Sequence, residues 1–206
     1  FRTDLYVYDR EAKRLRTVHT GSLGEETVFD EAVSHSSPFW GPSGERLGFL
    51  RTDHSDRFAA VAELGIRDLD AQTTRFVTSA DRVELYSPAF HWRRPGNLLV
   101  EYTQRARRGL FRLSLDEGTT VPVWNPVEHA SGFSFSADGD RAAWVQQSIG
   151  APPEVYTARR PFASAQRISR LNQALREQVW LPGAESVEWT SRDGTDIQGW
   201  FVRPRS

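Results

Sequence analysis

The sequence holds no cysteine and no methionine, has a single lysine (Lys13), and contains no apolar run long enough to span a bilayer. Without cysteine there are no disulfides and no thiolate metal ligands. Net charge gives no lead either: 26 basic and 27 acidic residues leave −1, so no overall field draws the chain to nucleic acid or to an anionic membrane. No charged-apolar-small leader opens the chain, so nothing supports secretion and the cytoplasm is the default expectation. A chain without methionine that begins at Phe1 is expected to be part of a longer polypeptide. The arginine-for-lysine bias carries no functional reading.

What is present is a repeat. Phe133 to Val145 reads as two short strands joined at Asp138-Gly139, where glycine allows the positive φ of a tight turn. Earlier copies run from Pro38 to Leu50 and, more loosely, from Phe90 to Val100. The turn glycines Gly44, Gly96 and Gly139 lie 52 and 43 residues apart, the length of a four-stranded unit. A second motif keeps the same beat: Leu5-Tyr6-Val7, Leu64-Gly65-Ile66, Leu110-Phe111-Arg112 and Val155-Tyr156-Thr157 start 59, 46 and 45 residues apart. Val18, Val77, Val123 and Ile168 follow at the same intervals.

In chain order, Leu5 to Asp9 and Leu15 to His19 match the last two strands of a unit, followed by an acidic loop from Gly21 to Asp30. Complete units are expected at about Val33 to Thr78, Val83 to Trp124 and Ser131 to Ile168, the last with its third strand starting after Pro152-Pro153. A short helix is expected over Asn172 to Val179, with Asn172 as its cap. A hairpin then pairs Ser186 to Ser191 with Asp196 to Val202 around Arg192-Asp193-Gly194-Thr195. Units of this kind stacked radially make a β-propeller. The fold class is therefore all-β: a partial propeller of about three and a half blades over residues 1–170, a linker over 171–184, and a terminal hairpin over 185–206. An open ring exposes sheet faces and edges, so the chain is expected to self-associate.

Candidate chemistry is sparse. Asp53-His54-Ser55-Asp56 sets a histidine between two carboxylates, either a base with its orienting acid, a metal-ligand pair, or a polar loop between strands. Residues His19, His35, His91 and His129 lack the i,i+2 or i,i+4 pairing of a metal site. Gly41-Pro42-Ser43-Gly44 has the wrong spacing for a nucleophile elbow and reads as a blade turn. Trp40, Trp92 and Trp144 recur within the blade hairpins, which points to packing between sheets rather than to a ligand. The clusters Arg105 to Arg108 and Arg159-Arg160 read as solvated loops. The expected catalytic, cofactor-binding and metal-binding residues within this chain are none.

The blade Phe135 to Gly139, the strand Pro153 to Tyr156, the segment Gln166 to Asn172 and above all Glu185 to Pro204 resemble the prolyl oligopeptidase family of serine peptidases, in its acylaminoacyl-peptidase and dipeptidyl-peptidase-like branch. The resemblance implies an N-terminal propeller leading through the terminal hairpin into an α/β-hydrolase domain. It implies a Ser-Asp-His triad on that domain, beyond Ser206, since no Gly-x-Ser-x-Gly elbow occurs here. Its implied partners are the hydrolase domain and short or N-acylated peptide substrates; no nucleic acid, membrane or cofactor is implied. The alternative is a stand-alone binding or scaffold propeller. Against that alternative, Asp193-Gly194 and Gly199-Trp200 are expected to have no counterpart in the repeats. A third reading, a small hydrolase using His54, rests on one loop.

Overall fold

Turn residues and alternating apolar residues divide the chain into short strands, which pair with their immediate successors. The computed structural model describes residues 4–19, 33–54, 61–78, 84–85, 90–94, 96–104, 107–117, 119–124 and 129–204. Strands β1 (Leu5–Asp9) and β2 (Arg14–His19) form a two-stranded antiparallel sheet. Three four-stranded sheets follow, each in sequence order. The first contains β3 (Val33–Trp40), β4 (Arg46–Asp53), β5 (Val61–Asp68) and β6 (Thr74–Phe76). The second contains β7 (Phe90–Arg94), β8 (Asn97–Gln104), β9 (Arg107–Ser114) and β10 (Thr120–Trp124). The third contains β11 (His129–Phe135), β12 (Arg141–Ser148), β13 (Ala151–Arg159) and β14 (Gln166–Arg167). Helix α1 (Gln173–Gln178) and a hairpin of β15 (Ala184–Thr190) and β16 (Asp196–Val202) complete the chain. These sheets are the expected partial propeller, half a blade and three whole ones; the expected loop over Gly21 to Asp30 lies outside the described residues.

The chain divides into two compact units, Phe1–Thr103 with Leu110–Val123, and Gln104–Gly109 with Trp124–Ser206. In the first unit a core forms where sheets meet face to face. Leu50, Leu64 and Ile66 of one sheet pack with Leu98, Val100 and Phe111 of the next. A second cluster joins Leu5 and Val18 to Leu47 and Phe49. Glycine makes room for rings here: Gly48 faces Phe39 and Gly65 faces Phe49 across the ladder, and a Cβ at Gly65 would lie 2.7 Å from the Phe49 ring. In the second unit Trp144 is buried among Trp124, Phe133 and Tyr156, with centroids 4.9, 5.4 and 6.4 Å away.

Several expectations need correction. Trp40 is 53% exposed, unlike buried Trp92 and Trp144. An irregularity in β3 between Ser36 and Phe39, with Ser37 at φ 51°, shifts the alternation. Phe39 therefore takes the inward position, stacking on Phe90 at 4.3 Å. Pro152 and Pro153 lie inside β13 rather than before it. The β12–β13 register shifts there, between Gln146 and Ser148, and a broken ladder tolerates residues without an N–H. Ile168 keeps the repeat interval but is exposed. Asn172 does not cap α1 with its side chain; its Nδ2 donates to the Pro153 carbonyl at 2.7 Å.

Candidate functional site

The repeat is written in hydrogen bonds as well as apolar residues. Asp9 and Asp68, 59 residues apart, each turn the chain after a third strand. Asp9 Oδ1 accepts from the Glu11 and Ala12 N–H groups at 2.9 and 3.0 Å, and Asp68 Oδ1 accepts from Asp70 and Ala71 at 3.2 and 2.9 Å. Lys13 and Gln72, at the same interval, take the left-handed conformation that closes each turn, at φ 49° and 56°. The Ala71 and Asp70 N–H groups and the Arg46 guanidinium hold Asp68 below the usual carboxylate range, against some desolvation.

A second bond set fastens the other end of the third strand. The fourth strand stops at Phe76 in one blade and Arg167 in another, and the residues just past it continue the pairing with the third strand. The Val77 N–H donates to the Leu64 carbonyl at 2.9 Å, and the Ile168 N–H donates to the Val155 carbonyl at 2.8 Å. One residue on, a hydroxyl continues the ladder: Leu64 N–H donates to Thr78 Oγ1 at 2.9 Å, and Val155 N–H to Ser169 Oγ at 2.8 Å. A hydroxyl two residues past the fourth strand thus satisfies a backbone donor of the third strand, buried at Leu64 and half-buried at Val155.

At the second of these positions a carboxylate adds to the clamp. Glu154 is 2% exposed and accepts from the Ser169 hydroxyl, from Leu171 N–H at 3.1 Å and from Asn172 N–H at 2.9 Å. Together with the bond from Asn172 to Pro153, this ties residues 169–172 to the start of β13. The Ser169 hydroxyl, the Asn172 and Leu171 N–H groups and Arg167 keep the Glu154 carboxyl below its ordinary range, outweighing burial. An ionised carboxylate with its oxygens committed to three local donors is an anchor, not a proton carrier. Glu63, one residue before Leu64 as Glu154 is before Val155, pairs instead with Arg51.

The clamp leads into α1 and the terminal hairpin. Strands β15 and β16 pair in unbroken register from Ala184↔Val202 to Thr190↔Asp196. The turn between them has a counterpart in the repeat, contrary to expectation. In Ser191-Arg192-Asp193-Gly194 and Ser136-Ala137-Asp138-Gly139 alike, the serine hydroxyl donates to the aspartate and the glycine N–H donates to the serine carbonyl, at 3.1 and 2.8 Å. Both glycines have positive φ, 88° and 67°. The Ser191 hydroxyl and Thr195 N–H lower Asp193 to about 2. What sets the hairpin apart is its surface. Trp189, Trp200 and Phe201 are 50%, 40% and 49% exposed, and Val187 and Val202 are exposed beside them.

The earlier candidates do not converge. His54 is exposed and its Nε2 lies 2.8 Å from Ser34 Oγ; sequence reasoning missed Ser34, which reaches His54 because β3 and β4 lie side by side. Ser55 and Asp56 lie outside the described residues, so the full Asp53 to Asp56 cluster is not on view. Ser43 is exposed in its turn and donates to Glu45 at 3.1 Å. His35 is buried against Phe49 at 5.4 Å, and burial together with Arg108 holds His129 below its usual range. Arg105 lies outside the described residues. Among the described residues no group of three or more His, Cys, Asp and Glu could hold a metal ion, and no helix is long and apolar enough to cross a membrane.

No family model and no curated protein matches the sequence. Solved structures match in fold. The acylaminoacyl peptidase of Pyrococcus horikoshii matches 98% of this chain at TM-score 0.65 and 13% identity, and the match spans 28% of that enzyme. A prolyl endopeptidase matches 96% of the chain at TM-score 0.59 and 20% identity, over 27% of its own length. TolB from Acinetobacter baumannii matches 97% at TM-score 0.57 and 13% identity, over 45% of its length. At such identities the likeness is one of fold. The fold is that of part of the prolyl oligopeptidase family's peptidases, and the chain covers less than a third of the two peptidases' length.

Proposed function

We propose that this chain is the C-terminal part of the propeller of a prolyl-oligopeptidase-like serine peptidase that hydrolyses short or N-acylated peptides in the cytoplasm. The propeller restricts access to the active site, so that peptides enter and folded proteins do not. The nucleophile belongs to a hydrolase domain outside residues 1–206, and no residue of this chain takes part in the chemistry. The observation that carries this reading is the terminal hairpin. It follows the Glu154 clamp, pairs only with itself among the described residues, and bears Trp189, Trp200 and Phe201 on its surface. A two-stranded hairpin is marginal alone, and an apolar surface of this kind suits a covering domain.

The likeness to two peptidases supports the choice of partner domain. The test is turnover of chromogenic peptidyl and acyl-aminoacyl substrates. The pure chain is expected to be inactive, and activity that copurifies with it through successive columns would overturn the assignment. A second reading, a binding or scaffold propeller, is favoured by the Ser191 to Gly194 turn, which repeats a blade turn. The exposed aromatic hairpin weighs against it.

A further inference from the structure

In the blade of β3 to β6, Arg46 at the start of the second strand faces Asp68 at the end of the third, and their side chains pair at 3.4 Å. The corresponding residues in the blade of β11 to β14 are Arg141 and Arg159, directly opposite in the ladder. Where one blade has an ion pair the other has two like charges, and Arg160 adds a third. Cross-strand partners bring their Cβ atoms to about 4.5–5.5 Å, and like charges so placed are destabilising. Neither Arg141 nor Arg159 faces a carboxylate across the ladder.

The three arginines border a cleft of about 500 Å³ with Thr157, Ser164 and Gln166. Register explains the grouping. Arg141 faces Arg159, Thr157 lies two residues before Arg159, and Gln166 faces Thr157, so all four project from one side of the sheet. Ala142 and Ala158, on the other side, are buried. A neighbouring cleft shares the arginines but carries its own countercharges, Asp138 and Asp140. No carboxylate lines the cleft of about 500 Å³.

We propose that the cleft bounded by Arg141, Arg159 and Arg160 binds a small oxyanion, a carboxylate or a phosphate. Guanidinium forks match the paired oxygens of both groups, and Thr157, Ser164 and Gln166 bring further polar groups to the wall. The anion supplies the countercharge that Asp68 gives Arg46 in the sister blade. This inference does not depend on the peptidase reading, since it needs only the blade itself.

Calorimetric titration of the whole chain with sodium phosphate and, separately, sodium succinate at constant ionic strength tests it. Saturable binding of either at one site is expected, and which of the two binds tells phosphate from carboxylate. Arg159→Asp restores the sister blade's ion pair, so it should weaken binding tenfold or more while raising the melting temperature of the free chain. Arg159→Gln provides the same binding test if the aspartate variant fails to fold. Arg112→Gln, on the exposed side of β9, should leave binding unchanged. Absence of saturable binding by both anions, binding indifferent to the Arg159 variants, or equal weakening by Arg112→Gln would each overturn the proposal.

Discussion

Replacing Thr78 with valine tests whether the hydroxyl past the fourth strand is a structural part of the blade. Thr78 is buried, and its Oγ1 accepts from the N–H of Leu64, itself 0% exposed. β6 has ended at Phe76, so no backbone carbonyl of that strand replaces the lost acceptor. A buried donor left unpaired costs about 1–3 kcal/mol, more than the net value of an ordinary hydrogen bond, because its desolvation is uncompensated. Valine keeps the side chain's shape, so little of the loss arises from a cavity. Thr78→Ser keeps the oxygen and deletes one methyl, a loss of about 0.8 kcal/mol if that group is fully buried. Urea denaturation followed by tryptophan fluorescence should therefore rank the proteins wild type, serine, valine, with valine lower by about 1–3 kcal/mol. A valine variant as stable as wild type, or a serine variant as damaged as valine, would refute the role of the oxygen.

Gly65→Ala drives a Cβ into the ring of fully buried Phe49, 2.7 Å away, so it should destabilise by about 1–3 kcal/mol, and a change within 0.3 kcal/mol by urea titration would contradict the fit. Glu154 and Asp193 have lowered folded-state pKa values. Their stabilising contributions are full above the ordinary carboxylate range and are lost as pH falls through the lowered values, for Asp193 between about 4 and about 2. Glu154→Gln should accordingly reduce the difference in urea midpoint between pH 7 and pH 3; a difference as large as in wild type would show that the clamp does not need the charge. Tyr6, Tyr8 and Leu15 on the two-stranded β1–β2 sheet are 50%, 58% and 61% exposed, and the chain is expected to self-associate there. Light scattering should show mass rising with concentration, whereas a monomer throughout would argue against it.

Most of the strand order was legible because turns and apolar intervals repeat. Asp138-Gly139 announces a hairpin whatever surrounds it, and the 59, 46 and 45 residue intervals carry each blade's third and fourth strands together. Trp40 was misplaced because an irregularity in β3 changes which neighbour points inward, and a backbone conformation such as that of Ser37 leaves no mark in the residue pattern. The clamp was half visible. Pro153 to Tyr156 and Gln166 to Asn172 stood out separately, but only pairing of β13 with β14 brings Glu154 to Ser169. Thr78 and Ser169 directly follow apolar members of the repeat, Val77 and Ile168, but Val18 and Val123 are followed by His19 and Trp124, so the interval alone does not single out a hydroxyl. The arginine cleft was hidden for a different reason: Arg159 looks like any loop cation until the ladder sets it against Arg141.

The mass of the native polypeptide shows most directly whether this propeller is joined to a hydrolase domain. An antibody raised against the chain, used on extracts of its source cells, should detect a band larger than the chain's 23.4 kDa by at least a whole hydrolase domain. A native band at 23.4 kDa would contradict the peptidase account and favour the binding or scaffold propeller.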